Sequence, residues 1–260
     1  MRATIACGQF DPKPGDIEAN TARIRGQAAE AAAAHATLLV LPELCLTGYP
    51  NRTEAATWAV AAEGPEMARV GECAAAAGVG LCIGFIERVG RDGCANSMAF
   101  IDSSGTLRGI YRKVHLWPPE REWAIPGTGF IPIDAGGITL GMWICYDTRF
   151  PEAARSLARA GATLGLVGAA WFGPADEWEL AVRARAMDNG MFVAGATVIG
   201  AFGSAPFRGT STIVDPHGKV LACAREGRAE VICAEYDSAT VEEFRGRLPL
   251  LDDVRPESYA

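Results

Sequence analysis

A cysteine that closes an apolar run is the first residue in this sequence that could carry out chemistry. Cys145 follows the run 138–144 (ITLGMWI) and precedes the polar segment 146–149, with Pro151 placed for the first turn of a helix. A strand-to-helix bend exposes a side chain at a sheet edge, and a nearby helix dipole favours thiolate. Cys145 is therefore a candidate nucleophile, although a buried core cysteine would fit the same pattern.

Two further polar residues follow apolar strands. Glu43 comes directly after Pro42 and the run 37–41 (TLLVL), where a carboxylate is costly unless it is paired or functional. Lys113 follows the run 107–111 and is flanked by apolar residues, so a surface lysine and a functional lysine both fit. A capping or salt-bridged role also remains open for Glu43.

Taken together, these three residue types match the needs of amide hydrolysis by a thiol. The reaction needs a base that takes the thiol proton and later protonates the leaving amine, and a donor for the tetrahedral oxyanion. We interpret Glu43 as the general base, Lys113 as the oxyanion-stabilising cation and Cys145 as the nucleophile. Of the three histidines, only His115 lies near these residues in sequence, so a cysteine–histidine mechanism is open through His115 alone.

Short apolar runs alternate with helical patterns, and these elements must position the candidates. Helices are predicted over 17–33, 65–77, 151–160 and 177–189. Strands are predicted over 4–9, 37–41, 80–87, 94–101, 107–111, 138–144, 163–167, 192–198, 209–214, 219–222 and 231–235. Turn signals at 102–105 (DSSG) and 215–218 (DPHG) predict two hairpins. The mixture predicts an α/β fold of mixed β-sheets with helices on the outer faces, and reactive groups gathered at strand ends.

Composition excludes several other classes of protein. The 260 residues carry a net charge of −7 with no Lys/Arg run longer than two, which argues against nucleic-acid binding. No apolar run approaches the roughly 20 residues that span a bilayer, and the N-terminus reads as a strand rather than a secretory leader. The eight cysteines show no CxxC pair and no zinc spacing, so no metal is predicted. We expect one domain over 1–260, in the cytoplasm.

Four ordered segments resemble the nitrilase superfamily of carbon–nitrogen hydrolases. They are 39–44 (LVLPEL), 111–116 (YRKVHL), 145–152 (CYDTRFPE) and 183–186 (RARA). Similar features occur at Asn96-Ser97, at 208–211 (RGTS) and in the tail from Arg247 to Tyr259. Each segment is weak alone, but the ordered set is specific and spans nearly the whole chain.

The resemblance implies an αββα sandwich that pairs face to face into a homodimer or a higher homo-oligomer. It implies a Glu–Lys–Cys triad at Glu43, Lys113 and Cys145, without a metal or an organic cofactor. It also implies a further glutamate between the lysine and a Pro-Gly turn, within 119–127 (PEREWAIPG). Glu120 fits the usual spacing best and Glu122 is its competitor. This glutamate would position the substrate amide and the triad.

The residues after Cys145 favour the amidase-type branches of that superfamily. True nitrilases usually have Cys-Trp-Glu where this chain has Cys-Tyr-Asp. N-carbamoyl amine or amino-acid hydrolysis is the alternative, but amino-acid carbamoylases tend to have two arginines where this chain has Thr148 and Arg149. Arg149 either binds a substrate carboxylate or pairs with Asp147 or Glu152, and we favour the structural pairing.

The resemblance predicts an enzyme that converts a small linear carboxamide to a carboxylic acid and ammonia through a cysteine thioester. Lys113 and the backbone N–H of Tyr146 would bind the oxyanion. Trp171 and Phe172 would shape the acyl pocket, unless they are ordinary core aromatic residues. A non-catalytic binding protein of the same fold is the rival from another class, and the sequence does not name the acyl group.

Overall fold

The secondary structure follows the predicted alternation of strands and helices. The computed structural model describes residues 1–91 and 93–258, so Tyr259 of the tail lies outside the described residues. The strands are β1 (Arg2–Gln9), β2 (Leu38–Val40), β3 (Gly80–Val89), β4 (Gly93–Ile101), β5 (Leu107–Arg112), β6 (Ile133–Asp134), β7 (Thr139–Ile144), β8 (Leu164–Ala169), β9 (Phe192–Thr197), β10 (Ile199–Phe202), β11 (Ala205–Arg208), β12 (Thr212–Val214), β13 (Val220–Cys223) and β14 (Glu230–Asp237).

The helices fill most of the longer connections. They are α1 (Ile17–Ala33), α2 (Ala55–Trp58), α3 (Pro65–Ala77), α4 (Pro151–Arg159), α5 (Ala175–Asn189) and α6 (Ser238–Arg247), with 3₁₀ helices at Pro118–Glu122, Cys145–Arg149 and Pro256–Ser258. No helix in the described part of the chain is both long enough and apolar enough to cross a membrane.

Two six-stranded sheets form the centre of the molecule. The first has the order β14-β1-β2-β3-β4-β5, and the second has the order β13-β12-β9-β8-β7-β6. Strands β1 to β3 are parallel and so are β7 to β9, whereas the outer strands of both sheets pair antiparallel. Both sheets are therefore mixed, as the sequence predicts. The carboxyl ends of each parallel set lie at one edge, where Glu43 and Cys145 follow β2 and β7.

The two sheets pack face to face, and helices cover their outer faces. One buried cluster joins Val40 and Met98 of the first sheet to Leu140 and Leu166 of the second. A second cluster lies between the first sheet and the helices α1 and α3. Helices α4 and α5 pack on the second sheet. This is the αββα sandwich that the resemblance implies.

Helix α5 carries large apolar side chains on both its buried and its exposed side. Trp178 and Val182 are buried against the second sheet. Leu180 and Met187 lie on the other side and are 67% and 49% exposed. Trp178 and Val182 therefore pack inside the protomer, whereas Leu180 and Met187 face outward.

The predictions fail where turn geometry or short elements decide the backbone. Residues 209–214 were expected to form one strand, but Gly209 and Thr210 have φ of 78° and 67°, so β12 begins only at Thr212. Helix α6 was not predicted, because its buried stripe is limited to Val241 and Phe244. The hairpin β10–β11 was also not predicted, since it pairs outside the two large sheets.

Candidate active site

Glu43 is held between the two sheets by close backbone packing. It is 1% exposed and follows β2 through Pro42. A Cβ on Gly84 of β3 would lie 2.7 Å from the carbonyl oxygen of Pro42, and a Cβ on Gly168 of β8 would lie 2.9 Å from the backbone nitrogen of Glu43. One glycine from each sheet therefore leaves the space that the Glu43 backbone occupies.

Lys113 is a fully buried cation between two carboxylates. Its Nζ donates to Glu43 Oε1 at 2.7 Å and to Glu120 Oε1 at 2.9 Å, and neither carboxylate side chain is exposed. Burial alone would lower the pKa of Lys113, but Glu120 and Glu43 more than offset this and raise it well above its usual value. The ammonium form is therefore stabilised inside the protein, which excludes the surface-lysine interpretation.

The structure distinguishes between the two candidates for the fourth residue. Glu120 is buried in the 3₁₀ helix that follows Lys113, and its Oε2 accepts the backbone N–H of Trp117 at 2.8 Å. Burial raises the pKa of Glu120, against the lowering effect of Lys113. The side chain of Glu122 is 56% exposed and lies 3.8 Å from Arg52. Only Glu120 joins the cluster.

Cys145 ends β7 in a strained turn and faces the same region. It is the first residue of a 3₁₀ helix and has a φ of 43°, in the left-handed region that non-glycine residues rarely adopt. Its thiol lies 3.6 Å from the carbonyl oxygen of Ala170, to which it donates. Ala170 directly follows β8, so the thiol is directed toward the carboxyl end of that strand.

The protonation of Cys145 differs from the sequence-based expectation. Burial raises the pKa of its thiol well above the usual value, Glu43 raises it further, and Lys113 opposes both. Helix α4 begins only at Pro151, after the intervening 3₁₀ helix, so a helix dipole does not offset this burial. The raised pKa favours the thiol over the thiolate expected from the sequence.

Asp147 anchors the turn that carries Cys145. This fully buried carboxylate accepts from Tyr111 Oη at 2.6 Å, from the backbone N–H of His115 at 2.9 Å and from that of Ile144 at 3.0 Å. The His115 ring also lies 2.8 Å from Asp147 and stacks on Phe150 with centroids 3.7 Å apart. His115 thus serves the turn, and the cysteine–histidine alternative loses its support.

A small cavity of about 90 Å³ opens beside Cys145 and Lys113. Its remaining walls are largely aromatic and are formed by Tyr49, Trp117, Tyr146, Trp171 and Phe172. Phe172 packs against Phe207 with ring centroids 4.8 Å apart, and Trp171 against Trp178 at 5.3 Å. Both predicted pocket residues therefore line the cavity and also contact the core.

Arg149 lies at the rim of this cavity, with a partner that was not predicted. Its Nη2 is 2.7 Å from Glu177 Oε2, and its guanidinium carbon lies 4.6 Å from the centre of the Trp171 ring. The expected pairing with Asp147 or Glu152 is therefore wrong. Asp147 instead accepts hydrogen bonds within the turn that carries Cys145, and Arg149 pairs with Glu177 at the start of α5.

Three groups that complete the cluster were not predicted as site groups from the sequence. Asn96 on β4 donates to both Glu43 and Glu120, and Tyr49 Oη lies 3.3 Å from Glu120 Oε1. The backbone N–H of Ala170 donates to Glu43 Oε2 at 2.6 Å. Only Asn96 had a sequence signal, as part of the Asn96-Ser97 pair. Among residues 1–91 and 93–258, no group of three or more His, Cys, Asp or Glu side chains is arranged to hold a metal ion.

The fold and the cluster agree with comparisons to known proteins. The fold is that of the nitrilase-superfamily amidases: the chain superposes on the amidase from Nesterenkonia sp. AN1, a double mutant in complex with acrylamide, with a TM-score of 0.87 and 28% identity. This superposition covers 98% of the chain and 95% of the amidase. The chain belongs to the carbon–nitrogen hydrolase family, whose sequence profile matches residues 4–246.

Two curated relatives extend over the full chain. A probable nitrilase of Schizosaccharomyces pombe is 34% identical over 266 aligned residues, which cover 100% of this chain and 98% of the relative. A 2-oxoglutaramate amidase of Bacillus subtilis is 34% identical over 269 aligned residues and covers 100% of both chains. The protein is accordingly a carbon–nitrogen hydrolase of the amidase type.

Proposed function

We propose that this protein hydrolyses a small linear carboxamide to a carboxylic acid and ammonia through a thioester on Cys145. The observation that supports this best is the fully buried Lys113, held between Glu43 and Glu120 at the wall of the cavity that Cys145 also lines. Burying three charges is costly, and a structural core would be at least as stable with apolar residues in their place. A catalytic role gives a reason for the arrangement.

Hydrogen-bond occupancy supports different roles for the two glutamates. Both oxygens of Glu120 accept at least two donors each, from Tyr49, Asn96, Trp117 and Lys113. Oε2 of Glu43 accepts one donor in the described part of the chain, the N–H of Ala170. A carboxylate oxygen has room for about two. Glu43 is therefore the proton acceptor, and Glu120 holds Lys113 and the substrate amide in position.

The proposed reaction proceeds in two halves. The Cys145 thiol transfers its proton to Glu43 as sulfur attacks the amide carbonyl, and Lys113 Nζ with the Tyr146 backbone N–H stabilises the oxyanion. Tyr146 is in the first turn of its 3₁₀ helix, where backbone N–H groups have no acceptor within the helix. Glu43 then gives the proton to the leaving nitrogen, so ammonia departs and a thioester remains.

Water completes the cycle. Glu43 takes a proton from the water that attacks the thioester, and the same two donors stabilise the second oxyanion. The thiolate that leaves recovers its proton from Glu43, and the carboxylic acid is released. Because the raised pKa of Cys145 keeps the resting residue a thiol, each half needs the same carboxylate as acceptor and donor.

Cavity size and lining favour a short, uncharged acyl group. The cavity of about 90 Å³ has mainly aromatic walls, and the charge of Arg149 at its rim is neutralised by Glu177. A second candidate is an acidic substrate, either an ω-amide of a dicarboxylic acid or an N-carbamoyl amino acid. It is favoured by the position of Arg149 at the rim and by the relative named as a 2-oxoglutaramate amidase.

A substrate screen tests the proposal directly. Ammonia release is measured on neutral carboxamides of increasing acyl length, with parallel sets of ω-amides, N-carbamoyl compounds and nitriles. We expect turnover of short neutral carboxamides and little turnover of nitriles. Preferred turnover of the acidic or N-carbamoyl set would favour the second candidate. No turnover in any set would support the non-catalytic binding protein instead.

We also propose that residues 1–260 form one domain and that the protein is a homodimer. Leu180 and Met187 on α5, together with Leu248 in the tail, are large apolar side chains that are 49–67% exposed and that pairing could bury. Light scattering during size-exclusion chromatography tests this. A mass of one chain at micromolar concentration would contradict the dimer.

A further inference from the structure

Asn96 lies between the two buried carboxylates and has no role in the mechanism above. It is fully buried on β4, and its Nδ2 is 2.7 Å from Glu43 Oε1 and 2.8 Å from Glu120 Oε1. Its backbone carbonyl accepts the N–H of Lys113 at 2.8 Å. One residue therefore contacts both carboxylates and the backbone of the lysine.

The orientation of the Asn96 amide is fixed by its neighbours. A flipped amide would place Oδ1 against two carboxylate oxygens, which are acceptors only. In the orientation observed, Oδ1 is buried and has no donor among the described residues. A buried acceptor without a donor destabilises a fold. Asn96 is thus poorly explained by stability alone, and its two donated bonds need another reason.

The bond from Asn96 to Glu43, together with the bond from Lys113, determines which oxygen of Glu43 stays open. Oε1 accepts from Asn96 Nδ2 and from Lys113 Nζ, both at 2.7 Å, so its two acceptor directions are used. Oε2 is held by the Ala170 N–H and keeps one direction open within the described chain. We propose that Asn96 is a positioning residue for the proposed amidase reaction. By donating to Glu43 Oε1, Asn96 leaves Glu43 Oε2 to accept the proton of the Cys145 thiol.

Asn96 also affects the charge of the cluster. Its amide bonds to Glu43 and Glu120, and both carboxylates interact electrostatically with Lys113, Cys145 and Tyr49. A neutral donor that bonds to both carboxylates stabilises their negative charge. Without it, Glu43 Oε1 and Glu120 Oε1 each lose one donor, so the buried negative charge of the cluster is less well stabilised.

The test replaces the amide without changing its shape. Asn96→Asp has the same size but is an acceptor when ionised, and Asn96→Ser keeps one small donor. Ser97→Ala is the matched control, because Ser97 is equally buried on the same strand and donates to Glu87, outside the cluster. Two readouts are followed against pH between about 5 and 9: kcat/KM for a carboxamide, and the rate of Cys145 alkylation by iodoacetamide, located by peptide mass spectrometry.

We expect Asn96→Asp to lower both rates about 10²-fold at neutral pH, as for a misplaced catalytic group. Because the buried negative charge is less well stabilised, the acidic limb of both profiles should move to higher pH, with KM nearly unchanged and Ser97→Ala like the wild type. The rates of Asn96→Ser should lie between those of the wild type and those of Asn96→Asp. The proposal would be overturned if Asn96→Asp and Asn96→Ser gave the pH profiles of the wild type. It would also be overturned if their activity fell only in proportion to thermal stability, while the acidic limbs of the profiles did not move.

The two readouts also separate this inference from the proposed function. If the wild type hydrolyses no carboxamide, the proposed function fails, but alkylation of Cys145 still reports on its proton acceptor. If the wild type is an amidase and the limbs do not move in Asn96→Asp, only the role of Asn96 fails.

Discussion

Two regions of the site hold their charges in different ways. Around Lys113, two carboxylates and the ammonium are fully buried, with side-chain exposures of 0%, and each carboxylate accepts several hydrogen bonds. At the pocket rim, Arg149 and Glu177 form a single contact, with side-chain exposures of 41% and 42%. Removing one buried charge leaves the others unpaired in a region of low polarity, whereas an exposed pair contributes little. We therefore expect reactivity to depend on the interior cluster, while selectivity depends on the rim.

The largest expected effect comes from removing the nucleophile. Cys145→Ala should abolish ammonia release and leave the fold intact, because the side chain is small and its one hydrogen bond to the described residues is a weak contact to Ala170. Cys45→Ala is the matched control, since its thiol is equally buried and donates to a backbone carbonyl 3.5 Å away. Cys233→Ala is a second control. Appreciable turnover by Cys145→Ala, measured by ammonia release, would contradict the thioester mechanism.

Removing the buried cation should have the next largest effect. Lys113→Met should lower kcat by at least ~10²–10³-fold, the usual cost of losing one oxyanion donor, with a much smaller change in KM. It should also lower the free energy of unfolding by roughly 3–5 kcal/mol, because two carboxylates lose their counter-ion.

The adjacent residue supplies the control for that experiment. Arg112 pairs with Glu87 at 2.6 Å, outside the cluster, so Arg112→Met should keep a near-normal kcat. Steady-state kinetics are measured below the melting temperature of each variant. A normal kcat in folded Lys113→Met would remove Lys113 from the mechanism.

The two glutamates of the 3₁₀ helix sharpen the contrast between buried and exposed groups. Glu120→Gln places an amide where Lys113, Asn96 and Trp117 all donate, so we expect kcat to fall about 10²-fold through misplacement of the cluster. Glu122→Gln changes an exposed carboxylate and should stay within about twofold of the wild type. Parallel kcat measurements decide this, and similar losses in both variants would be inconsistent with the geometry.

The smallest effect is expected at the rim. Arg149→Gln should lower kcat/KM several-fold on neutral and acidic amides alike, with a modest loss of thermal stability, because an exposed pair and its stacking on Trp171 contribute only about 1 kcal/mol each. A selective rise in KM for acidic amides, equivalent to roughly 1.5–3 kcal/mol, would instead identify Arg149 as a carboxylate ligand.

Glu177, the partner of Arg149, provides an independent test of whether Arg149 binds the substrate or has a structural role. Glu177→Gln leaves the guanidinium without its carboxylate. If Arg149 binds substrate, the KM for acidic amides should fall in this variant, because a competing negative charge has been removed. If the role is structural, neutral and acidic amides should respond equally.

Local signals in the sequence were sufficient for much of the fold. Helices α1 and α3 begin and end where predicted, because Asp16 caps the first, and the second starts at Pro65 and stops at Gly78 in the left-handed conformation. The first hairpin follows from its turn residues. Helix α6 could not be predicted in this way, because tertiary packing of two side chains stabilises a segment with weak helical periodicity.

The site was predicted only in part, for physical reasons. Cys145, Glu43 and Lys113 follow strands, so their convergence could be expected, but the burial of Lys113 depends on counter-ions that lie 70 and 7 residues away. Glu177 is likewise 28 residues from Arg149. No local pattern encodes such pairs, because the sheet packing creates them. The same holds for the pKa of Cys145, which depends on burial rather than on its helix.

The glycines that flank Glu43 have a consequence for laboratory evolution of this enzyme. Gly84 and Gly168 contribute no functional group, yet a methyl group on either would press on the backbone of residues 42–44, which cannot move aside as a flexible side chain could. A library that varies Phe172, Arg149 and Glu177 can therefore explore new substrates, whereas one that includes these glycines will contain mostly inactive clones. Deep mutational scanning should find tolerance at the rim and near-complete intolerance at two positions that carry no side chain.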